Sequence, residues 1–232
     1  MKRSLLASVS VLALTLNATA ADLSARPVPV KAPVVAAPAW TWTGFYIGIN
    51  GGGVWHRARA DVDPAVAGSD SATVKAFGAT FGGQVGANWQ VDRFVLGIEA
   101  DWNWVDASDT ANFIVLPDFN FSSKLSSLVT VRGRVGITLS PTMIYATGGF
   151  AAGKVNNFVP LRFGGYSDSD VKTGWTAGGG IEHMFARNWT VKGEALYVDL
   201  RDSTVQGNDG PGYVGRFTNT AVIARGGVNF KW

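Results

Sequence analysis

Arg216 to Trp232 reads RFTNTAVIARGGVNFKW. From Val222 the even positions are Val222, Ala224, Gly226, Val228, Phe230 and Trp232, while the odd positions include Arg225, Asn229 and Lys231. Alternation with a period of two is the mark of a strand with one apolar and one polar face. An arginine in the middle of the polar face suits the wall of a transmembrane barrel, apolar toward lipid and polar toward a wet lumen. The other reading of this stretch alone is an edge strand of a soluble sheet.

The opposite end of the chain reads MKRSLLASVSVLALTLNATAA. Lys2 and Arg3 precede an apolar run, Ser4 to Leu16, that is too short to span a bilayer as a helix. Small residues at Ala18 and Ala20 follow, with Ala21 as an alternative cleavage position. Residues 1–21 are therefore expected to be a signal peptide that is removed. Residues 22–41 are rich in Pro, Ala and Val without a period and are expected to form an extended periplasmic linker.

No later stretch is long and apolar enough for a membrane helix, yet hydrophobic residues make up 47% of the chain and charged residues 16%. Abundant but interleaved apolar residues fit strands that alternate between lipid and lumen. Cysteine is absent, which excludes thiol nucleophiles and cysteine-ligated metal. The formal charge is +3, and Lys2 and Arg3 of the expected leader supply two of those charges, so the mature chain offers no basic surplus for nucleic acid.

The same alternation recurs through residues 42–232. Strands are expected near 41–55, 75–89, 94–104, 126–139, 143–153, 172–185, 189–200 and 216–232. The fifth, MIYATGGFAAG, alternates weakly, so its faces stay open. Tight turns at 90–93, 140–142 and 186–188 alternate with polar stretches at 56–74, 105–124, 154–171 and 201–215, which are read as long loops. The pattern predicts an all-β, eight-stranded antiparallel transmembrane up-and-down barrel. Its short turns and both termini would be periplasmic and its long loops extracellular.

Alternation alone does not say which face is outside, since a lipocalin-like barrel turns its apolar face inward. Tryptophan position decides for the membrane. Trp42, Trp89, Trp189 and Trp232 fall at the turn side of the proposed strands, and Trp55, Trp104 and Trp175 at the loop side. Two interfacial aromatic belts are what a bilayer selects. The opposite face then carries Glu99, Asp101, Glu182 and Glu194 with Arg132, Arg134, Lys192 and Arg225. An eight-stranded barrel is just wide enough for its side chains to fill it, so a lumen largely plugged by ion pairs is expected.

WTGFYIGINGGGVW, MIYATGGFAAGKV, TGWTAGGGIEHMF, NWTVKGEALYVDL and GGVNFKW together resemble the small outer-membrane immunogenic proteins, a porin-like group with the architecture of the OmpA transmembrane domain. The resemblance implies a surface antigen of the cell outer membrane with a structural role in the Gram-negative envelope and no catalytic residues. A terminal strand with Val228, Phe230 and Trp232 also resembles the insertion signal of bacterial outer-membrane barrels. The partners implied are outer-membrane lipid and lipopolysaccharide, the barrel assembly machinery, and a host or surface ligand at the loops.

Two other functions stay open from the residues: a narrow diffusion porin and a lipid-A-modifying enzyme. The second would need a histidine with a serine or carboxylate in reach. The chain has two histidines, and His56 and His183 fall at opposite ends of their strands, where each reads as an interfacial side chain. No catalytic group, metal site or cofactor is expected from this pattern.

Overall fold

The computed structural model describes residues 40–64, 70–112, 120–161, 164–206 and 213–232. The expected signal peptide and all but the last two residues of the expected linker lie outside the described residues. Eight strands follow in chain order: β1 (Gly44–Pro64), β2 (Asp70–Val91), β3 (Phe94–Asn112), β4 (Asn120–Leu139), β5 (Thr142–Leu161), β6 (Gly164–Ala186), β7 (Trp189–Gln206) and β8 (Tyr213–Lys231). Each pairs antiparallel with its sequence neighbour, and β8 closes on β1. The all-β, eight-stranded antiparallel barrel read from the alternation is the fold.

Three hairpin ends are tight. Asp92 and Ser140 adopt positive φ, 53° and 62°, in the β2–β3 and β4–β5 turns. The third turn is tied to the closing strand: Lys231 N donates to Asn188 O at 2.7 Å, and Asn188 Nδ2 donates to Lys231 O at 2.7 Å.

The other end differs from the sequence reading. Residues 56–64, 70–74, 105–112, 120–125, 154–161, 164–171 and 201–206 are ladder, where long loops were expected. Several described outward side chains there, such as Arg57, Arg59, Lys124 and Lys154, are polar, so the hydrophobic period fades, but strand pairing does not require lipid on the outside. What changes past Trp55, Trp104 and Trp175 is the solvent facing the wall. These tryptophans therefore sit within long strands and not at strand ends.

Phe45, Ile47, Ile49, Phe81, Val85, Leu96, Ile98, Val131, Val135, Ile137, Ile181 and Val222 face outward and are exposed. In a soluble protein so broad an apolar surface would aggregate; around a closed barrel it is a lipid-facing belt. From Phe45 to Trp55 the chain advances about 33 Å along β1, and a tilt of about 40° reduces this to about 25 Å, the height of the apolar band of such barrels. The weakly alternating β5 also resolves, with Ile144 and Phe150 outward and Met143, Tyr145 and Thr147 inward.

Candidate functional site

Residues two apart on a strand share a face, so parity alone sends Glu99 and Asp101, Arg132 and Arg134, and Lys192 and Glu194 inward in pairs. All eight of the charged residues singled out from sequence are buried inside the barrel. The structure brings them into one network.

Arg132 is its hub. One guanidinium nitrogen contacts Glu99 and lies 2.9 Å from Asp101 Oδ2; another lies 3.0 Å from Glu194 Oε2; its Nε donates to Thr130 Oγ1 at 3.0 Å. Arg225 forks between two acids, with Nη1 3.0 Å from Asp101 Oδ1 and Nη2 2.8 Å from Glu194 Oε1. Lys192 Nζ sits 2.8 Å from Glu99 Oε1. Arg134 reaches Glu182 Oε2 at 2.6 Å on β6, past the intervening β5, with its guanidinium 4.1 Å from the Tyr145 ring centroid. Four acids and four bases thus share one buried volume inside the barrel. Such a set is tolerable only when it is paired and its remaining lone pairs and protons are hydrogen-bonded.

That completion comes from residues that were not singled out from sequence. Tyr46 OH donates to Glu99 Oε2 at 2.7 Å and accepts from Arg134 Nη1 at 3.0 Å. Tyr145 OH donates to Glu194 Oε2 at 3.0 Å. Thr130 donates to Asp101 Oδ2 at 2.6 Å, and Asn229 Nδ2 to Glu182 Oε1 at 2.8 Å. Strand alternation puts Tyr46 and Asn50 on the inward face as well, but no local signal tells a network member from a bystander. The two tyrosine rings fit because glycines lie beneath them: a Cβ on Gly86 would overlap the Tyr46 ring end, and one on Gly180 would crowd Tyr145 OH.

Above and below this layer the lumen holds an apolar cluster, beside buried polar side chains such as His56 and Asn219 on the loop side and Asn88 and Thr190 on the turn side. On the loop side Val54, Val105, Leu125, Leu128, Leu196, Val198, Leu200 and Ile223 pack into one buried cluster. These residues face inward on strands whose outer face there is also partly apolar, so alternation hid them. On the turn side Trp42, Val95, Met143, Tyr145 and Met184 form a second cluster.

Trp42 departs from its expected place in the turn-side aromatic belt. It is 1% exposed and lies in the mouth of the lumen. The reason is its position before β1, where no ladder holds it on the wall. Its backbone N–H donates to Gln90 Oε1 at 2.8 Å, which fixes the chain across the mouth. The other belt candidates, Trp55, Trp89, Trp104, Trp175, Trp189 and Trp232, all face outward and are exposed. On β8, Val228 and Phe230 share the outward face with Trp232, and the Trp189 ring meets Phe230 with centroids 5.2 Å apart.

The histidines lie apart. His183 is exposed at the turn end, with Nδ1 2.9 Å from Thr142 Oγ1. His56 is not interfacial but buried on the inward face of β1. Neither of its ring nitrogens has a hydrogen-bond partner, and the same holds for the side-chain atoms of Asn219, buried nearby on β8.

Residues 8–230 match the family described as outer membrane protein beta-barrel domain. The chain is 38% identical over 216 residues to the 31 kDa outer-membrane immunogenic protein of Brucella melitensis, covering 86% of this chain and 88% of that protein. It is 32% identical over 179 residues to the 22 kDa outer membrane protein of Rhizobium leguminosarum, covering 76% and 70%. Among solved structures, the outer membrane protease OmpT from Escherichia coli superposes with a TM-score of 0.51 over 85% of this chain and 99% of that one, at 10% identity, which speaks to fold alone. A closed barrel with a lipid-facing exterior and these relatives lead to one conclusion: the chain belongs to the outer membrane protein beta-barrel domain family and resides in the outer membrane.

Proposed function

We propose that this protein is a sealed, structural barrel of the outer membrane that carries antigenic hairpins on the cell surface. The observation behind this reading is the order of layers inside the lumen. A neutral ion-pair network lies between an apolar cluster around Leu128 and Leu200 and a second one around Trp42. A hydrated ion entering from either end would have to pass one of these clusters, whose apolar side chains offer no replacement for its water. The aromatic belts then act as bilayer anchors, and Val228, Phe230 and Trp232 act as the face read by the assembly machinery. The turn end faces the periplasm and the hairpin ends face outward, where a host or surface ligand would meet them. The names of the Brucella relatives, which describe outer-membrane immunogenic proteins, support the antigen part of the reading.

Reconstitution in planar bilayers tests it. The expected record is a conductance indistinguishable from that of the bare membrane. Large, steady single-channel steps would replace this reading with that of a diffusion porin.

A further inference from the structure

Just beyond the loop-side aromatic belt, two cations stand together on the outside of the barrel. Trp55 on β1 and Phe77 on β2 are exposed, with ring centroids 5.3 Å apart. The next outward positions on the two strands are Arg57 and Lys75, and the register sets them directly opposite each other. Both are exposed. Directly opposed residues have Cβ atoms about 5 Å apart, and like charges so placed destabilise a strand pair.

Among the described residues, no acidic side chain relieves this repulsion. On the other flank β8 places Thr220 opposite Arg57 and Thr218 opposite Arg59. Arg59, the third cation, is held by Asp61 at 2.9 Å. Asp106 on β3 is engaged by Lys124 at 3.4 Å. Among the described residues, neither the Arg57 nor the Lys75 side chain makes an ion pair.

Depth identifies the missing counter-charge. Two residues advance a strand by about 7 Å, or about 5 Å along the membrane normal at the tilt of such barrels. A bilayer's headgroup layer is about 5–7 Å thick on each side of the hydrocarbon. Arg57 and Lys75 therefore lie at headgroup depth, directly above an aromatic pair at the edge of the hydrocarbon.

We propose that Arg57 and Lys75 form a binding site for the phosphate of an outer-leaflet lipid of the lipopolysaccharide class, whose acyl chains run down over Phe77 and Trp55. A guanidinium and an ammonium converging on one phosphate make charge-assisted hydrogen bonds and turn the repulsive pair into a clamp. The outer-leaflet assignment rests on the proposed orientation, with the hairpin ends outward.

The test uses the folded barrel in dodecyl maltoside micelles, which contain no phosphate. Lipid A, lipid A stripped of its phosphates, and inorganic phosphate are each added, with bound lipid counted by native mass spectrometry and the urea midpoint recorded. The parent should retain lipid A and be stabilised by it. R57Q/K75Q should bind it at least about tenfold more weakly, the loss of one or two charge-assisted hydrogen bonds. Without lipid, the variant should be no less stable than the parent, because a repulsion has gone.

Equal retention of lipid A by parent and variant would overturn the site, and so would equal retention of the dephosphorylated lipid by the parent. Stabilisation by inorganic phosphate matching that by lipid A would mark a free-anion site and not a lipid site. An equal loss in K124Q/K154Q, on the outer face of β4 and β5, would reduce the effect to general charge. Micelles have no sidedness, so orientation is tested separately. T73C, in a chain without native cysteine, should react with an impermeant maleimide in intact cells; protection would overturn the outer-leaflet assignment while leaving the sealed lumen untouched.

Discussion

Lys192 stands directly opposite Glu182 in the β6–β7 ladder, yet it gives its ammonium to Glu99 on β3, across the lumen, at 2.8 Å. Glu182 is taken instead by Arg134 from β4 at 2.6 Å. The network therefore combines pairs along neighbouring strands, Arg132 with Glu99 and Arg225 with Glu194, with pairs across the barrel, so that the latter tie distant parts of the wall together.

This weave predicts an order of severity. Glu99 is shared by Arg132, Arg134 and Lys192, whereas Lys192 sits within 3 Å of Glu99 alone. Glu99→Gln should cost about 3–5 kcal/mol, because it takes a carboxylate from three buried cations at once and leaves Lys192 without a close partner. Lys192→Met should cost less, about 1.5–3 kcal/mol, since Glu99 keeps its arginines. The double variant should be more stable than the sum of the two losses implies. Urea titrations in micelles, followed by tryptophan fluorescence, check the order; a larger loss for Lys192→Met would contradict it.

Disrupting the network should not by itself open a path for ions. Arg132→Gln with Arg134→Gln leaves the clusters around Leu128 and Trp42 in place. The expected result is lower stability without new conductance. Adding Trp42→Ala, Leu128→Ser and Leu200→Ser should let water through and produce a measurable leak in planar bilayers. A leak from the arginine variant alone would mean that the apolar layers do not seal.

Trp42 and Trp40 give a matched comparison at the turn end. Trp42 is 1% exposed in the lumen mouth, and Trp40 is 38% exposed. Trp42→Ala should cost about 3–5 kcal/mol, the usual penalty for emptying a large aromatic site. Trp40→Ala should cost well under 1 kcal/mol. Similar shifts in unfolding midpoint for the two would argue against a cork at this position.

The two faces of β4 can be separated at adjacent residues. Val131 faces lipid near mid-wall, so Val131→Arg should cost about 2–4 kcal/mol. Thr130 faces the lumen, where its hydroxyl donates to Asp101 and accepts from Arg132. Thr130→Val should cost about 1–3 kcal/mol by leaving charged partners unsatisfied, although valine is similar in shape and more apolar. Stabilisation by Thr130→Val in folding titrations would refute the assignment of that hydroxyl.

On the outer face of β8, Trp232 is exposed beyond Phe230, with centroids 6.2 Å apart. Trp232→Asp should reduce the amount of heat-modifiable, folded protein in outer-membrane fractions while leaving synthesis unchanged. Unaltered insertion would remove Trp232 from the assembly signal.

Much of this protein was legible in its sequence because a strand's pleat is local. Successive side chains must point to opposite faces, so parity alone sent Ile98 to lipid and Glu99 to the lumen, and did the same for Val131 and Arg132. Eight such segments divided by three tight turns specified an antiparallel meander, and the tryptophans said which face met the membrane. Closure and stagger are not local. They set the height at which each inward side chain sits, and hence that Lys192 meets Glu99 and that Leu125, Leu128 and Leu200 meet one another. Where a strand is apolar on both faces, as at Leu196-Tyr197-Val198, or polar on its outer face, as beyond Trp55, alternation is lost, and neither the inner seal nor the true length of the strand can be read. Trp42, lying before the first ladder, carried no parity at all; its place in the mouth of the lumen was decided only by the closed wall around it.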